Sequence, residues 1–234
     1  MIPLRDANPT ARRPVVTGAI IVACLVVFAL ELAIRAVGGE AALEEFYARF
    51  GVVPASLVAA VRSGQVLDLP IATLVTYQFL HGGWIHLGAN LLYLWVFGNN
   101  VEDRLGRPAF LVFYLAGGVI AALAQVAIDP TSDVPLVGAS GSIAAVLGAY
   151  FVMFPRARVL SLVFLVVFFQ LIEVPAVYLL GLWFVLQLID ALTALGHDTT
   201  VEGVAIFAHV AGFGVGIAVG LADRRRRALP AAIL

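Results

Sequence analysis

Lysine is absent from this 234-residue chain, and all 14 of its basic residues are arginine. Charge of either sign is scarce. Charged residues make up 12% of the chain, about half of what a soluble domain carries. With a formal net charge of −1, no basic surface points to nucleic acid. The one cysteine, Cys24, excludes an internal disulfide and reads as a small packing residue inside an apolar run. What fills the chain instead is apolar: 62% hydrophobic residues and a mean hydropathy of +1.02. This composition excludes a water-soluble core and implies a polytopic membrane protein.

Six apolar runs approach the roughly 20 residues that carry a helix across the hydrocarbon. The first, Pro14–Leu30 extending to about Val37, is too long for a cleaved signal and is read as a span. Trp84–Val101, Pro108–Ile128, Leu136–Phe154, Val174–Leu192 and Val204–Ala222 follow. Val159–Ile172 is apolar but only 14 residues long, and Glu173 and Pro175 cut it off from the next run. It is expected to be an interfacial or buried connector. The arginines set the orientation. Eleven lie before span 1 or after spans 2, 4 and 6, and only Arg35, Arg49 and Arg62 lie opposite. The excess of arginine puts both termini in the cytoplasm. The expected organisation is a cytoplasmic segment 1–13, a six-span domain 14–222 and a basic tail 223–234. A long external first loop, 38–83, is expected to hold short amphipathic helices at the interface.

Strongly polar groups at membrane depth are costly and usually functional. His81 and His86 open span 2, and Asn90 follows one turn after His86 on the same face. Ser140 lies near the start of span 4 and His209 lies in span 6. Spans 2, 4 and 6 run from outside to inside, so all five residues fall in the outer half. Ser140 is seven residues after Asp133 and His209 seven after Glu202. If helical from there, both sit roughly 10 Å below the external surface.

Small residues bring the two spans together. Ser140, Ala144 and Gly148 share a face of span 4; Ala208, Gly212, Gly216 and Gly220 form a ladder beside His209 on span 6. Such faces let membrane helices pack backbone to backbone. Val215, about 100° round the wheel, is expected to face lipid. The packing sets a serine nucleophile beside a histidine base. A helix N-terminus at Ser140 offers free N–H groups to a developing oxyanion, and His86 and Asn90 offer side-chain donors.

The segments "HGGWIHLGANLLYLWVFGNNVEDRLG" (81–106), "GASG" (138–141) and "AHVAGFGVG" (208–216) resemble the three signature segments of the rhomboid intramembrane serine proteases. The resemblance covers roughly Pro14 to Ala222, in the right order and spacing. It implies an all-α fold, a bundle of six transmembrane helices, with a Ser140–His209 dyad. His86, Asn90 and the Ser140 N–H would line the oxyanion hole. His81 and Gly138 would support it, and Glu102 would have a structural role below span 2. Gly141, Ala144, Gly148, Gly212 and Gly216 are the packing positions. The chain departs from the family in two places: its first loop has no Trp-Arg pair, and Ala144 stands where some members stack an aromatic on the histidine. Trp183 or Tyr178 on span 5 are the candidates for orienting His209. No carboxylate is placed to complete a triad, Asp190 included.

Two other classes were weighed. A haem or metal protein using His81, His86 and His209 lacks an HExxH pair, and Cys24 lies too far away to help. A non-catalytic relative should have lost the serine or the histidine. The expected activity is hydrolysis of a peptide bond in single-span membrane proteins within the lipid bilayer. No metal, cofactor or nucleic acid is implied. The expected location is a bacterial plasma membrane.

Overall fold

The computed structural model describes residues 1–64, 69–165, 168–195 and 206–228. Glu202 and Val204, used above to place span 6, lie outside them. The first apolar run forms α1 (Val15–Phe50), which bends at Gly39, where φ is 74° and glycine alone sits without strain. The expected first loop therefore begins as helix and continues as α2 (Pro54–Arg62), α3 (Leu69–Thr76) and a 3₁₀ turn at Tyr77–Phe79. Val52, Leu57, Leu74 and Tyr77 bury themselves against Ala122 and Val126 of α6 (Arg107–Ile128). The loop is thus fastened to the bundle by its own small core.

The second run is a continuous helical path over 84–105: α4 (Trp84–Tyr93), a π-helical turn at Leu94–Gly98 and α5 (Asn99–Leu105). Glu102 of α5 does the work of an N-cap for α1. Pro14 precedes that helix and has no side-chain donor or acceptor to offer. Glu102 Oε1 accepts the Val16 N–H at 3.0 Å, and Oε2 accepts the Thr17 N–H at 2.7 Å and its hydroxyl at 2.8 Å. A carboxylate is the right partner for the positive, donor-rich end of a helix. Glu102 is only 2% exposed. Glu102→Ala should therefore cost about 2–3 kcal/mol, lowering Tm by roughly 4–12 °C for a protein of this size. Thermal unfolding in detergent measures it; an unchanged Tm would mean that α1 is held some other way.

The fourth run departs from expectation. Leu136 pairs with Val52 in both directions (N–H to O at 3.1 and 2.8 Å), and the Gly138 N–H donates to Tyr77 O at 2.9 Å. These contacts hold 136–139 outside the helix, so α7 (Ser140–Met153) starts at the serine itself. Counting helical rise from Asp133 therefore does not give the depth of Ser140. α7 is apolar all round, half of it Gly, Ala or Ser, and 11 of its 14 residues are buried. That is the signature of a helix at the centre of its bundle. Around it stand α6, α8 (Ala176–Leu195), α9 (Ile206–Ala228) and the helical path over 84–105; among the described residues α1, α6, α8 and α9 are the four helices long and apolar enough to cross a membrane.

The expectation of an all-α chain is corrected by a three-stranded antiparallel sheet, order β1-β2-β3. Val159–Ile172, expected as a connector, lies almost wholly within the hairpin of β2 (Arg158–Leu165) and β3 (Phe168–Pro175). A run of Val, Leu and Phe too short to span satisfies its backbone by strand pairing. The N-terminal segment supplies β1 (Ile2–Asp6) along β2, and α8 starts at Ala176 rather than Val174. Asp6 then accepts hydrogen bonds from Tyr150 and Asn100, each at 2.6 Å, which ties β1 to the helices. Arg224–Arg227 lie on the last turns of α9, and Asp223 accepts from Arg104 at 2.7 Å and Arg227 at 3.1 Å.

Candidate active site

Glycine decides how closely α9 approaches α7. A Cβ at Gly212 would collide with the Gly141 carbonyl and sit 3.2 Å from Ala144 Cβ. One at Gly216 would collide with the Ala145 carbonyl, and one at Gly148 with the Phe213 carbonyl. A Cβ at Gly141 would stand 3.9 Å from Ala208 Cβ. The residues next to Ser140 and His209 are therefore in contact, which puts the serine and the histidine on facing first turns. Both are half-buried. No hydrogen bond joins their side chains in this structure. Catalytic hydrogen bonds of this kind commonly close only around substrate.

Two residues of α8 meet the His209 ring. Gln187 Oε1 lies 2.6 Å from Nδ1, and the Trp183 ring centroid lies 6.0 Å from that of the imidazole at 43°. An amide oxygen only accepts, so Nδ1 carries the proton and Nε2 the lone pair. The aromatic support thus comes from α8 and not from position 144, where Ala144 is fully buried against α9. Tyr178 is 70% exposed and takes no part. Asp190 is exposed near the far end of α8.

The other wall of the site is the turn before α7. Gly138 has φ of 129°, and a Cβ there would lie 2.7 Å from both Cε1 and Nε2 of His86 and 3.8 Å from Ser140 Oγ. Only glycine lets the His86 ring reach this turn. The Gly82 N–H donates to His86 Nδ1 at 3.4 Å, which leaves the proton on Nε2, the nitrogen aimed at the Gly138–Ser140 turn. Asn90, one turn further along α4, is 6% exposed and its buried Nδ2 has no partner among the described residues. At the start of α7 the N–H groups of Ser140, Gly141 and Ser142 lack intrahelical acceptors, and among the described residues no side chain caps them. His86 Nε2 and the free N–H groups of the first turn of α7 therefore lie on the same side of the Gly138–Ser140 turn.

His81 lies beneath His86, its ring edge-on at 5.2 Å. Its backbone is clamped from α1: the His81 N–H donates to Glu31 Oε1 at 3.0 Å, and Tyr47 donates to the His81 carbonyl at 3.0 Å. Glu31 is 1% exposed and spends its Oε1 on the His81 backbone. Gln187 and Tyr47 are the parts that sequence reasoning missed. Gln187 had a signal, since it is an amide in the apolar run of span 5, one turn after Trp183 on the same face. Tyr47 had none.

Residues 70–226 match the family model described as Rhomboid domain. Over 87 residues the chain is 37% identical to presenilin-associated rhomboid-like protein A, mitochondrial, of Danio rerio, covering 36% of this chain and 23% of that protein. It is 31% identical over 96 residues to rhomboid protein 1, mitochondrial, of Saccharomyces cerevisiae, covering 39% and 28%. It is 42% identical over 76 residues to rhomboid protease GluP of Bacillus subtilis, covering 32% and 14%. The matched stretch is thus between 14% and 28% of the length of these three relatives.

Proposed function

The chain belongs to the rhomboid family of multi-pass integral membrane proteins, and on that premise we propose that it is an intramembrane serine protease acting through Ser140 and His209. The observation that carries this reading is the seating of the His209 turn of α9 on the first turn of α7, with His86 drawn in over Gly138. Ser140 Oγ attacks the scissile carbonyl carbon while His209 Nε2 takes its proton. The oxyanion receives hydrogen bonds from His86 Nε2–H, Asn90 Nδ2–H and the free N–H groups of α7. The tetrahedral intermediate collapses, the C–N bond breaks, and the leaving nitrogen takes the proton from His209. Water, deprotonated by His209 Nε2, then attacks the acyl ester; the ester C–O bond breaks and Ser140 Oγ takes the proton back from His209.

The distribution of arginine supports six membrane crossings with both termini cytoplasmic, the crossings being α1, the path over 84–105, α6, α7, α8 and α9. That topology opens the site toward the external face, where water is at hand. A substrate helix satisfies its own backbone in lipid, and unwinding it there is costly. The expected substrates are single-span proteins with small residues at the cut and Gly or Pro close by. The proposed location is a bacterial plasma membrane; "mitochondrial" in the names of two relatives is said of those proteins.

The test is incubation of purified protein in liposomes with a single-span substrate, wild type beside Ser140→Ala. Specific cleavage by wild type alone supports the reading, and equal cleavage by both overturns it. Asn90→Ala is expected to lower kcat less than the loss of Ser140 does. One oxyanion donor is worth about 3–4 kcal/mol where it acts alone, and His86 and the backbone cover part of its loss. An Asn90→Ala variant that is folded but as inactive as Ser140→Ala would give Asn90 a different role.

A further inference from the structure

We infer that Gln187 is a positioning residue that fixes the His209 ring with its proton on Nδ1, in effect an uncharged third member of the catalytic unit. The inference rests on the proposed Ser140–His209 chemistry. Gln187 Oε1 meets His209 Nδ1 at 2.6 Å. The contact is set by packing on both helices. One turn away, Phe184 stacks on Phe213 with ring centroids 4.4 Å apart and planes 14° from parallel. Trp183 touches both the His209 and Phe213 rings, at 6.0 and 5.9 Å. The antiparallel run of α8 and α9 thus brings 184 to 213 and 187 to 209 in register. The aromatic contacts limit the tilt of the imidazole, and the amide oxygen limits its spin and tautomer.

The choice of an amide has a physical reason. A carboxylate here would have to be desolvated between two apolar helices, at a cost of several kcal/mol unless fully paired. A glutamine orients the ring without that cost. It also stabilises the transient imidazolium less than an anion would. A carboxylate substituted at 187 should therefore hold the ring equally well and make the histidine easier to protonate.

The experiment uses purified full-length protein in liposomes with one single-span substrate. Wild type, Ser140→Ala, Gln187→Leu and Gln187→Glu are compared for kcat, KM and the pH dependence of kcat/KM. Gln187→Leu keeps the volume but removes the acceptor. It should lower kcat about 10- to 100-fold with little change in KM or Tm. Gln187→Glu should recover most of that loss, with the acid limb of the pH profile moved to higher pH. Side-chain ¹⁵N spectra of histidine-labelled wild type, assigned with His209→Ala, should show the Nδ1–H form of His209. The inference is overturned if Gln187→Leu retains wild-type kcat, if Leu and Glu variants share one rate and one pH midpoint, or if His209 carries its proton on Nε2. Wild-type cleavage by Ser140→Ala removes the protease reading and this inference with it. An inactive Ser140→Ala beside a fully active Gln187→Leu removes this inference alone.

Discussion

Ser140→Ala and His209→Ala are each expected to lower cleavage by at least on the order of 1,000-fold, and the double variant is expected to be no worse than either. Removing the nucleophile leaves the base nothing to deprotonate. Removing the base leaves a hydroxyl that is a poor nucleophile in an apolar site. Residues that act as one unit show this failure of additivity. The residual rate then comes from the oxyanion donors and from substrate positioning alone. All three proteins should still insert, because both side chains are only half-buried. The measurement is the initial rate on one single-span substrate at matched folded concentration. Additive losses, with the double variant far below both singles, would mean that the two residues serve separate steps.

Gly216→Leu is expected to inactivate the protein, although Gly216 lies two turns from the chemistry. Its missing Cβ is replaced by the Ala145 carbonyl, with Ala149 N only 2.6 Å from the same point. No rotamer relieves a clash with backbone, so α9 has to move away from α7. Overpacking of this kind typically costs about 1–3 kcal/mol. The catalytic loss is larger, since a displacement of about 1 Å at His209 is worth on the order of 100-fold in rate. Gly214 is the control: it is exposed, and a Cβ there meets nothing within 4 Å. Gly214→Leu should cleave at close to the wild-type rate. Equal activity of the two leucine variants would show that the small face of α9 does not set the distance between His209 and Ser140.

That small face was legible because it is periodic: Ala208, Gly212, Gly216 and Gly220 recur every four residues, and the period alone puts them on one side of a helix. Its neighbour Val215 was misread as lipid-facing. It packs partly against the core, and Gly214 is the open position. The start of α7 was not legible, because what ends the extended segment is a pairing between Leu136 and Val52, far apart in sequence. The hairpin was half legible. Its length argued against a span, but a short apolar run does not distinguish strand from helix, and its partner strand lies at the other end of the chain. The orientation of His209 was hidden for the same reason, since Gln187 and His209 meet only once α8 and α9 are in register.

The shortness of α7 bears on how the protein is made. Fourteen residues of helix extend about 21 Å, against about 30 Å of hydrocarbon. A segment that short is a poor candidate for independent release from the insertion machinery into lipid. It is also too small-sided to face lipid well: its glycines and alanines leave backbone exposed until α6 and α9 cover them. α7 is therefore expected to remain beside α6 until α9 has been synthesised, so that nascent chains cut short before α9 leave it accessible from water. Cysteine-labelling of truncated chains, with a probe at Ala144, would show protection appearing only when α9 is included. Ser140 would then be enclosed between its neighbouring helices only as the last step of assembly, and an incomplete chain would carry no assembled site into the membrane.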